Sequence, residues 1–391
     1  MNRTPEGNDA TEGAQGEIKT INPPVYHAST VLFNNYEALR QANEGTYPGI
    51  TYGTQGSPTQ EAFERALADL EGGYATKVFP SGISAITHVL QAFTRCGDHI
   101  LVCDNVYGPT RRFCDRILSK FGVETTYIPP DAGENISAFI RPETRLIFLE
   151  SPGSNTFEIQ DMPAIVRVAK AKNLVTMIDN TWATPLYYKP FQLGVDISIH
   201  SVTKYISGHS DVLLGTVTTN KKRFSEFFHY YHTLEVNASQ ADCYLALRGL
   251  KTLAVRLKHH EQSALEMAHW VNAQKQVETV LHPALPEHPE HDLWKRDFSG
   301  SSGLFGFILK QEYPEERIAA FVDGLRFFGL GYSWGGFKSL LTVGRYRRTT
   351  PSRYQGRTLF RVSIGFEDVA DLRDDLDQAM NRLSGPVDSG N

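Results

Sequence analysis

The stretch His200–Gly215, HSVTKYISGHSDVLLG, places one lysine, Lys204, among small and hydroxylated residues just after the apolar-rich run VDISIHSV. A buried ammonium group is costly, but desolvation lowers the pKa of a lysine and turns it into a nucleophile that combines with a carbonyl group. Lys204, at the end of a predicted buried strand, is therefore a candidate Schiff-base lysine. The ordinary alternative is a lysine whose stem lies along apolar surface while its ammonium reaches water.

Apolar runs of strand length alternate with helical segments in the part of the chain that contains Lys204. The runs are HILVCD, ETTYI, LIFLES, VTMIDN and ISIHSV, and segments such as MPAIVRVAKAKN lie between several of them. This alternation predicts βαβ units and a mainly parallel sheet that is covered on both faces. Ligands of such sheets bind beyond the carboxyl ends of the strands, which is where Lys204 is expected.

The chain of 391 residues, 41% of them hydrophobic, is long enough for two or three folding units. We expect an N-terminal arm over residues 1–57, a large α/β domain over 58–250 and a smaller α+β domain over 251–391. The large domain opens with the amphipathic segment TQEAFERALADLEGG, which predicts a helix that ends at Gly72 and Gly73. The smaller domain opens with a long helical stretch and contains LFGFILK, GLGYSWGG and LFRVSIGFED.

Composition argues against several classes of protein. The 39 basic and 44 acidic residues give a net charge of −5, which does not indicate nucleic acid or an anionic membrane as a partner. The apolar runs are far shorter than the roughly 20 residues that span a bilayer, and the polar N-terminus lacks the apolar core of a secretory signal. Four scattered cysteines without CxxC spacing fit a reducing, cytoplasmic location.

Common catalytic and metal-binding motifs are also missing. The sequence has no GxGxxG, no P-loop lysine and no GxSxG elbow. The pair His259–His260 lies in the charged segment RLKHHEQ without the HExxH spacing of a zinc site. We therefore predict no metal site and a solvated helix face at these two histidines.

Pyridoxal phosphate (PLP) is a carbonyl cofactor whose remaining requirements are met by the sequence. Its phosphate needs N–H groups at a helix start together with hydroxyls, its ring nitrogen needs a carboxylate, and its ring needs an aromatic neighbour. Asp179 ends the strand run VTMID, and Tyr107 follows HILVCD. The candidate phosphate ligands are Ser81, Gly82 and Ile83 in FPSGISAI, and Ser201 and Thr203 beside the lysine.

Each of these residues has an ordinary structural explanation when it is taken alone. A glycine in PSG is a common turn residue, Asp179 could cap the following turn, and Tyr107 could be an aromatic residue at the rim of a cavity. Taken together, in this order and at predicted strand ends, they favour a PLP site.

Ten motifs extend this interpretation to most of the chain. They are YGTQGSPT, LEGG, FPSG, LESPGS, MIDNTWA, TKYISGHSD, HPALP, WKRDFSGSSGLF, YSWGG and RVSIGFEDVADL. In these motifs and their order the sequence resembles the Cys/Met-metabolism family of PLP-dependent enzymes, over roughly residues 20 to 385. FSGSSGLF and YSWGG resemble the β-lyase branch of that family. Ser154 in ESPGSN, where relatives with γ-activity have asparagine, favours the same branch.

The resemblance implies an aspartate-aminotransferase-like α/β fold (fold type I) with a mainly parallel sheet and a smaller α+β C-terminal domain. It implies β-elimination at a C–S bond, with L-cystathionine cleaved to homocysteine, pyruvate and ammonia for methionine biosynthesis. The alternatives are a broader cysteine-S-conjugate β-lyase or cysteine desulfhydrase, a cystathionine γ-lyase or synthase, and a regulator that holds PLP without turnover.

The resemblance also implies a role for each matching residue. Lys204 would carry the cofactor and remove the substrate's Cα proton, Asp179 would pair with the ring nitrogen, and Tyr107 would stack on the ring. Gly82, Ile83, Ser201 and Thr203 would hold the phosphate, with Ser81 at the same junction. Arg361 would bind the substrate carboxylate, and Ser333 and Trp334 would shape the substrate pocket. Tyr52 would reach into the active site of a neighbouring subunit, which implies a homo-oligomer built from dimers, with a tetramer expected.

One position departs from the family pattern. Relatives commonly read Tyr-x-Arg, with the arginine contacting the phosphate across the subunit interface, whereas this chain reads Tyr52-Gly53-Thr54. Thr54 can donate one hydrogen bond but brings no charge. Either the charge is missing, or a basic residue from another loop replaces it.

We predict that Thr54→Arg strengthens retention of the cofactor. A hydrogen bond to a charged group contributes about 1.5–3 kcal/mol, against roughly 0.5–1.5 for a neutral one, so the gain is about tenfold in affinity. Dialysis of the wild type and the variant, followed by measurement of bound PLP, tests the prediction. Equal or weaker retention in the variant would indicate that another cation already occupies this position.

Overall fold

Residues 20–383 are described by the structure, a computed structural model. Seven strands form a large sheet in the order β1-β7-β6-β5-β4-β2-β3, in which β7 runs antiparallel to both of its neighbours and all other neighbouring pairs are parallel. The strands are β1 (Ala75–Phe79), β2 (His99–Cys103), β3 (Glu124–Ile128), β4 (Thr144–Glu150), β5 (Val175–Asp179), β6 (Ile197–Ser201) and β7 (Gly215–Thr219). The expectation of a mainly parallel sheet is confirmed.

The strands at the centre of this sheet are apolar on both faces because helices cover both faces. β2 and β5 are buried at every position. The helices of this part of the chain are α1 (Tyr36–Asn43), α2 (Pro58–Glu71), α3 (Gly82–Ala92), α4 (Gly108–Arg116), α5 (Met162–Ala171), α6 (Thr184–Tyr187), α7 (Pro190–Leu193) and α8 (Lys221–Thr233). The predicted helix in TQEAFERALADLEGG is α2, and it ends at Gly72, whose φ of 73° is left-handed.

A second sheet of five strands follows, in the order β10-β11-β12-β9-β8. Its strands are β8 (Val277–Leu281), β9 (Leu304–Leu309), β10 (Gly329–Leu330), β11 (Leu340–Gly344) and β12 (Leu359–Ser363). The 33-residue helix α9 (Gln240–Asn272) precedes it, and the remaining helices are α10 (His291–Asp297), α11 (Glu315–Asp323) and α12 (Val369–Arg382). The predicted domain boundary at residue 250 falls inside α9, and that division of the chain stays a prediction.

Two features of the fold differ from the interpretation of the sequence. His260 is fully buried on α9, and its Nδ1 atom lies 2.8 Å from the carbonyl oxygen of Ile364, so the prediction of a solvated face is wrong for this residue. Burial lowers the pKa of His260 to about 4. The strands β1 and β7 were not predicted, because ATKVF and GTVTT interrupt their apolar positions with threonine and lysine.

The parallel strands bring chemically active residues to one edge of the sheet. β4, β5 and β6 are neighbours and end at Glu150, Asp179 and Ser201. The loop between β1 and α3 reaches the same edge, because Gly215 at the start of β7 packs against the backbone of Ser81. Within residues 20–383, no helix combines the length and the apolar character that crossing a membrane requires.

Gly215→Ala is expected to destabilise the fold. A methyl group at Gly215 would lie 2.3 Å from the carbonyl oxygen of Ser81, a backbone atom that cannot move without shifting the start of α3. Overpacking of this kind costs about 1–3 kcal/mol, which a lower urea midpoint would report. Gly344→Ala is the matched control, because nothing lies within 4 Å of its added methyl group. Equal midpoints for the two variants would contradict the tight packing of Gly215.

Candidate active site

A cavity of about 240 Å³ opens at the carboxyl edge of the large sheet. Its walls come from the strand ends of β4, β5 and β6, from the start of α3, and from two segments of the second sheet. The predicted site residues that line it are Ser81, Gly82, Ile83, Tyr107, Asp179, Ser201, Thr203, Lys204, Trp334 and Arg361. The fold therefore gathers ten of the twelve predicted residues around one cavity.

Lys204 lies in the turn after β6, and its amine is held at the floor of the cavity. Its Nζ atom donates a hydrogen bond to the Ser201 hydroxyl at 3.4 Å and lies 5.6 Å from the ring centroid of Trp334. Burial lowers the pKa of Lys204 to about 8, against the opposing effect of Asp179. A minority of the amine, far larger than for an exposed lysine, is therefore in the neutral, nucleophilic form near physiological pH.

Asp179 ends β5 next to Lys204 and is buried. One of its oxygens accepts hydrogen bonds from the peptide N–H of Thr181 at 3.0 Å and from the Thr181 hydroxyl at 2.5 Å. Burial raises the pKa of Asp179, and the two hydrogen bonds from Thr181 oppose that rise. The Thr181 oxygen also accepts the peptide N–H of Ser201 at 2.8 Å, so one hydroxyl links the ends of β5 and β6.

The start of α3 forms a cradle beside Ser201. Ser81 is the N-cap residue, and its hydroxyl accepts the N–H of Ser84 at 3.1 Å. The first N–H groups of a helix have no partner within it, which leaves those of Gly82 and Ile83 available to an anion. A side chain at Gly82 would fill the space, because its Cβ would lie 2.6 Å from that of Ser201.

The hydroxyl of Thr203 already forms hydrogen bonds with the backbone of Leu214. It donates to the carbonyl oxygen of Leu214 at 3.2 Å and accepts the N–H of the same residue at 3.1 Å. A phosphate bond from Thr203 would require this hydroxyl to exchange its partner. Its predicted role stays a prediction, and the helix start and Ser201 are the better placed donors.

These residues fit pyridoxal phosphate. Glycine leaves the helix start open to a phosphate, a buried carboxylate is available for a ring nitrogen, and a buried amine is available for a carbonyl group. Lys204, Asp179, Tyr107, Ser81, Gly82, Ile83 and Ser201 are the residues that would hold the cofactor.

The opposite wall of the cavity comes from the second sheet. Arg361 on β12 donates from Nη2 to the carbonyl oxygen of Ser333 at 3.4 Å, and burial lowers its pKa. Ser333 has a left-handed φ of 77° and offers its carbonyl to Arg361, but it is not among the residues that line the cavity. Its predicted contact with substrate therefore stays a prediction.

Tyr52 lies outside the cavity that contains Lys204. It is 47% exposed and, with Thr54, lines a separate surface cavity between residues 27–29 and 237–240. Of the described residues, Tyr52 and Ser333 are the predicted site residues that do not line the cavity of Lys204.

Glu150, Thr181 and Trp182 are among the lining residues that were not predicted as site residues from the sequence. Glu150 carries the same signal as Asp179, a carboxylate at the end of an apolar strand run. Its oxygen accepts the peptide N–H of Tyr107 at 2.7 Å, and burial raises its pKa well above the usual range. Thr181 and Trp182 follow Asn180 in the motif MIDNTWA, which contains both residues but assigned a role only to Asp179.

The profile of the family described as Cys/Met metabolism PLP-dependent enzyme matches residues 8–381. The chain belongs to this family. Since the profile covers nearly the whole chain and the cavity offers the ligands that PLP requires, PLP is the cofactor and the fold is that of fold type I enzymes.

Relatives within the family carry more than one name. A Rhizobium johnstonii protein provisionally named a cystathionine β-lyase is 49% identical, covering 93% of this chain and 92% of its own length. Cystathionine β-lyase MetC of Escherichia coli is 39% identical (94% and 95%), and an L-alanine/L-glutamate racemase of Wolbachia pipientis is 40% identical (93% and 93%).

A solved structure of the family has the same fold. The crystal structure of metB from Corynebacterium glutamicum superposes with a TM-score of 0.86 at 33% identity, covering 93% of this chain and 94% of the other.

The lowered pKa of Lys204 gives a pH-dependent prediction. In protein stripped of cofactor, labelling of Lys204 by an amine-reactive reagent should rise through pH 8, because the neutral amine reacts and predominates above its pKa. Exposed Lys258 is the control for the reactivity of the reagent. Peptide mapping after labelling at pH 6 to 10 measures both. Labelling of the two lysines in parallel would contradict the desolvation of Lys204.

Proposed function

We propose that this enzyme is a PLP-dependent carbon–sulfur lyase that cleaves L-cystathionine by β-elimination to homocysteine, pyruvate and ammonia. The observation that carries the proposal is the meeting of a partly buried amine, a buried carboxyl group and a partly buried guanidinium around one cavity: Lys204, Asp179 and Arg361. Relatives named cystathionine β-lyase support the choice of substrate.

Bound PLP supplies an electron-accepting ring that stabilises negative charge at the substrate's Cα. Lys204 holds the cofactor and then, as a neutral amine, takes the Cα proton. Asp179, ionised and supported by Thr181, holds a proton on the ring nitrogen. The low pKa of Lys204 suits this role, because an amine that is half neutral near pH 8 can both accept and release a proton.

Arg361 positions the substrate. A planar guanidinium binds a carboxylate through two parallel hydrogen bonds, which fixes the α-carboxylate and thereby the direction of the Cα–H bond. Partial burial of Arg361 strengthens this interaction, because water screens it less than at the surface. Tyr107 lines the neighbouring wall of the cavity, where it would stack on the ring of the cofactor.

Protonated Lys204 also serves the leaving group. The proton taken from Cα passes from Nζ to the departing sulfur, which leaves as the thiol homocysteine when the Cβ–S bond breaks. The remaining three-carbon fragment is hydrolysed to pyruvate and ammonia. One side chain therefore acts first as base and then as acid, and the chain needs no second general acid for the step.

The enzyme works as a homo-oligomer in this proposal, in the cytoplasm, with residues 20–57 of the arm packed on a neighbouring subunit. Tyr52 would complete the neighbour's active site, and a tetramer of two such pairs is expected. Exposed apolar side chains on the arm, among them Ile21 and Leu32, support a covered surface.

A second activity at the same site is racemisation of L-alanine or L-glutamate. The Wolbachia relative of 40% identity carries that name. Both reactions begin with loss of the Cα proton to the amine of Lys204, and they diverge according to whether the substrate has a leaving group at Cβ.

The proposed function predicts pyruvate and homocysteine in equal amounts from L-cystathionine; 2-oxobutyrate and cysteine would indicate γ-cleavage instead.

Lys204→Ala should lower kcat by roughly 10²- to 10⁴-fold, the contribution of a positioned base. Asp179→Asn should lower kcat while cofactor remains bound. Exposed Lys258→Ala is the control and should match the wild type. Conversion of L-alanine or L-glutamate to the D-enantiomer, without pyruvate from cystathionine, would favour the racemase.

A further inference from the structure

Two carboxyl groups end neighbouring strands of the large sheet at the same level. Glu150, the last residue of β4, pairs in register with Asp179, the last residue of β5. Paired residues of adjacent parallel strands lie about 4.8 Å apart and present their side chains on the same face. Both residues line the cavity of Lys204.

Two ionised carboxylates at this spacing repel each other strongly in a buried site, so one of them retains its proton. Asp179 accepts two hydrogen bonds from Thr181, which favour its ionised form. Glu150 accepts one, from the peptide N–H of Tyr107, and within residues 20–383 no lysine, arginine or histidine forms a salt bridge with it. Burial first, and then Asp179, raise the pKa of Glu150 well above its usual range.

The other groups around Glu150 do not supply a counter-charge at contact distance. Cys103, at the end of β2, accepts the peptide N–H of Glu150 on its sulfur at 3.2 Å, and Arg348 in the β11–β12 loop directs its guanidinium to Thr156 and Glu158. The titratable and charged groups that face Glu150 are Asp179, Cys103, Tyr107, Glu158 and Arg348, with Lys204 and Arg361 on the same cavity.

The hydrogen bond between Glu150 and Tyr107 bears on function through Tyr107. Tyr107 is the residue before α4, and its own side chain makes no capping bond. Its peptide N–H is held at 2.7 Å by Glu150, and its ring lines the cavity from the same backbone. The position of the ring therefore depends on an acceptor from the end of β4.

We propose that Glu150 is a positioning residue that works as an uncharged carboxyl group. Its carbonyl oxygen fixes the backbone of Tyr107, and with it the aromatic ring over the cavity. Its lack of charge leaves Asp179 as the single ionised carboxylate next to the cofactor's ring nitrogen. The proposal rests on the function proposed above for Tyr107 and Asp179.

The variants Glu150→Gln and Glu150→Leu distinguish the effect of the hydrogen-bond acceptor at residue 150 from the effect of its charge. Glutamine keeps a carbonyl oxygen and cannot ionise, whereas leucine removes the acceptor. Glu143→Leu is the matched control, an exposed glutamate in the turn that precedes the same strand. The holoenzymes are compared by visible circular dichroism of bound PLP, which reports the orientation of the cofactor without turnover, and by kcat and KM from pH 6 to 10.

The glutamine variant should keep the dichroism of the wild type at pH 7 and a kcat within about threefold of it. The leucine variant should change the dichroism and lower kcat by roughly tenfold, the equivalent of about 1.4 kcal/mol, because the peptide N–H of Tyr107 would lose its acceptor. In the wild type, raising the pH ionises Glu150 beside Asp179 and should produce an alkaline fall in kcat. Glutamine cannot ionise, so that fall should be absent or shifted to higher pH.

Two results would overturn the proposal. Equal dichroism and kcat in the leucine and glutamine variants would show that the acceptor does not position Tyr107. An alkaline limb shared by the wild type and the glutamine variant would show that ionisation of Glu150 does not matter. Failure of the proposed function is a separate result, namely no pyruvate from cystathionine in a wild type whose PLP dichroism is normal.

Discussion

The burial of ionisable groups at the carboxyl edge of the large sheet is the constraint on which the site depends. Water would hold Lys204 as an ammonium and Glu150 as a carboxylate, whereas the cavity lowers the pKa of Lys204 to about 8 and raises that of Glu150. Each buried group must then find a partner in the protein or a cofactor. The Thr181 hydroxyl meets this need for Asp179, and the peptide N–H of Tyr107 meets it for Glu150.

This edge is rigid because the elements that form it are packed backbone against backbone. Gly82 approaches Ser201 so closely that no side chain fits, and Gly215 approaches Ser81 in the same way. The second sheet adds Arg361 and holds it through the carbonyl of Ser333. The amine and the guanidinium therefore come from different sheets, and the distance between them depends on how the two sheets pack.

The fold could be predicted from the sequence where burial on both faces leaves an apolar run, as in β2 and β5. Prediction failed for β1 and β7, because buried threonines pair with each other across strands: the hydroxyls of Thr76 and Thr218 lie 2.7 Å apart. It also failed for His260, whose partner, the carbonyl of Ile364, is 104 residues away in sequence. From sequence alone, a polar residue is predicted to be solvated when its hydrogen-bond partner is distant in the chain.

The part of the site that could be predicted from the sequence is limited in the same way. Sequence motifs predicted Lys204 and Asp179 at strand ends and Arg361 within a strand-like run, and all three residues line the cavity. The interactions that set their protonation are cross-strand and cannot be read from one segment. The pairing of Glu150 with Asp179 arises from the register of β4 and β5, and neither strand specifies that register alone. The sequence thus identifies candidate groups, and the packing of the strands determines the surroundings on which the charge of each group depends.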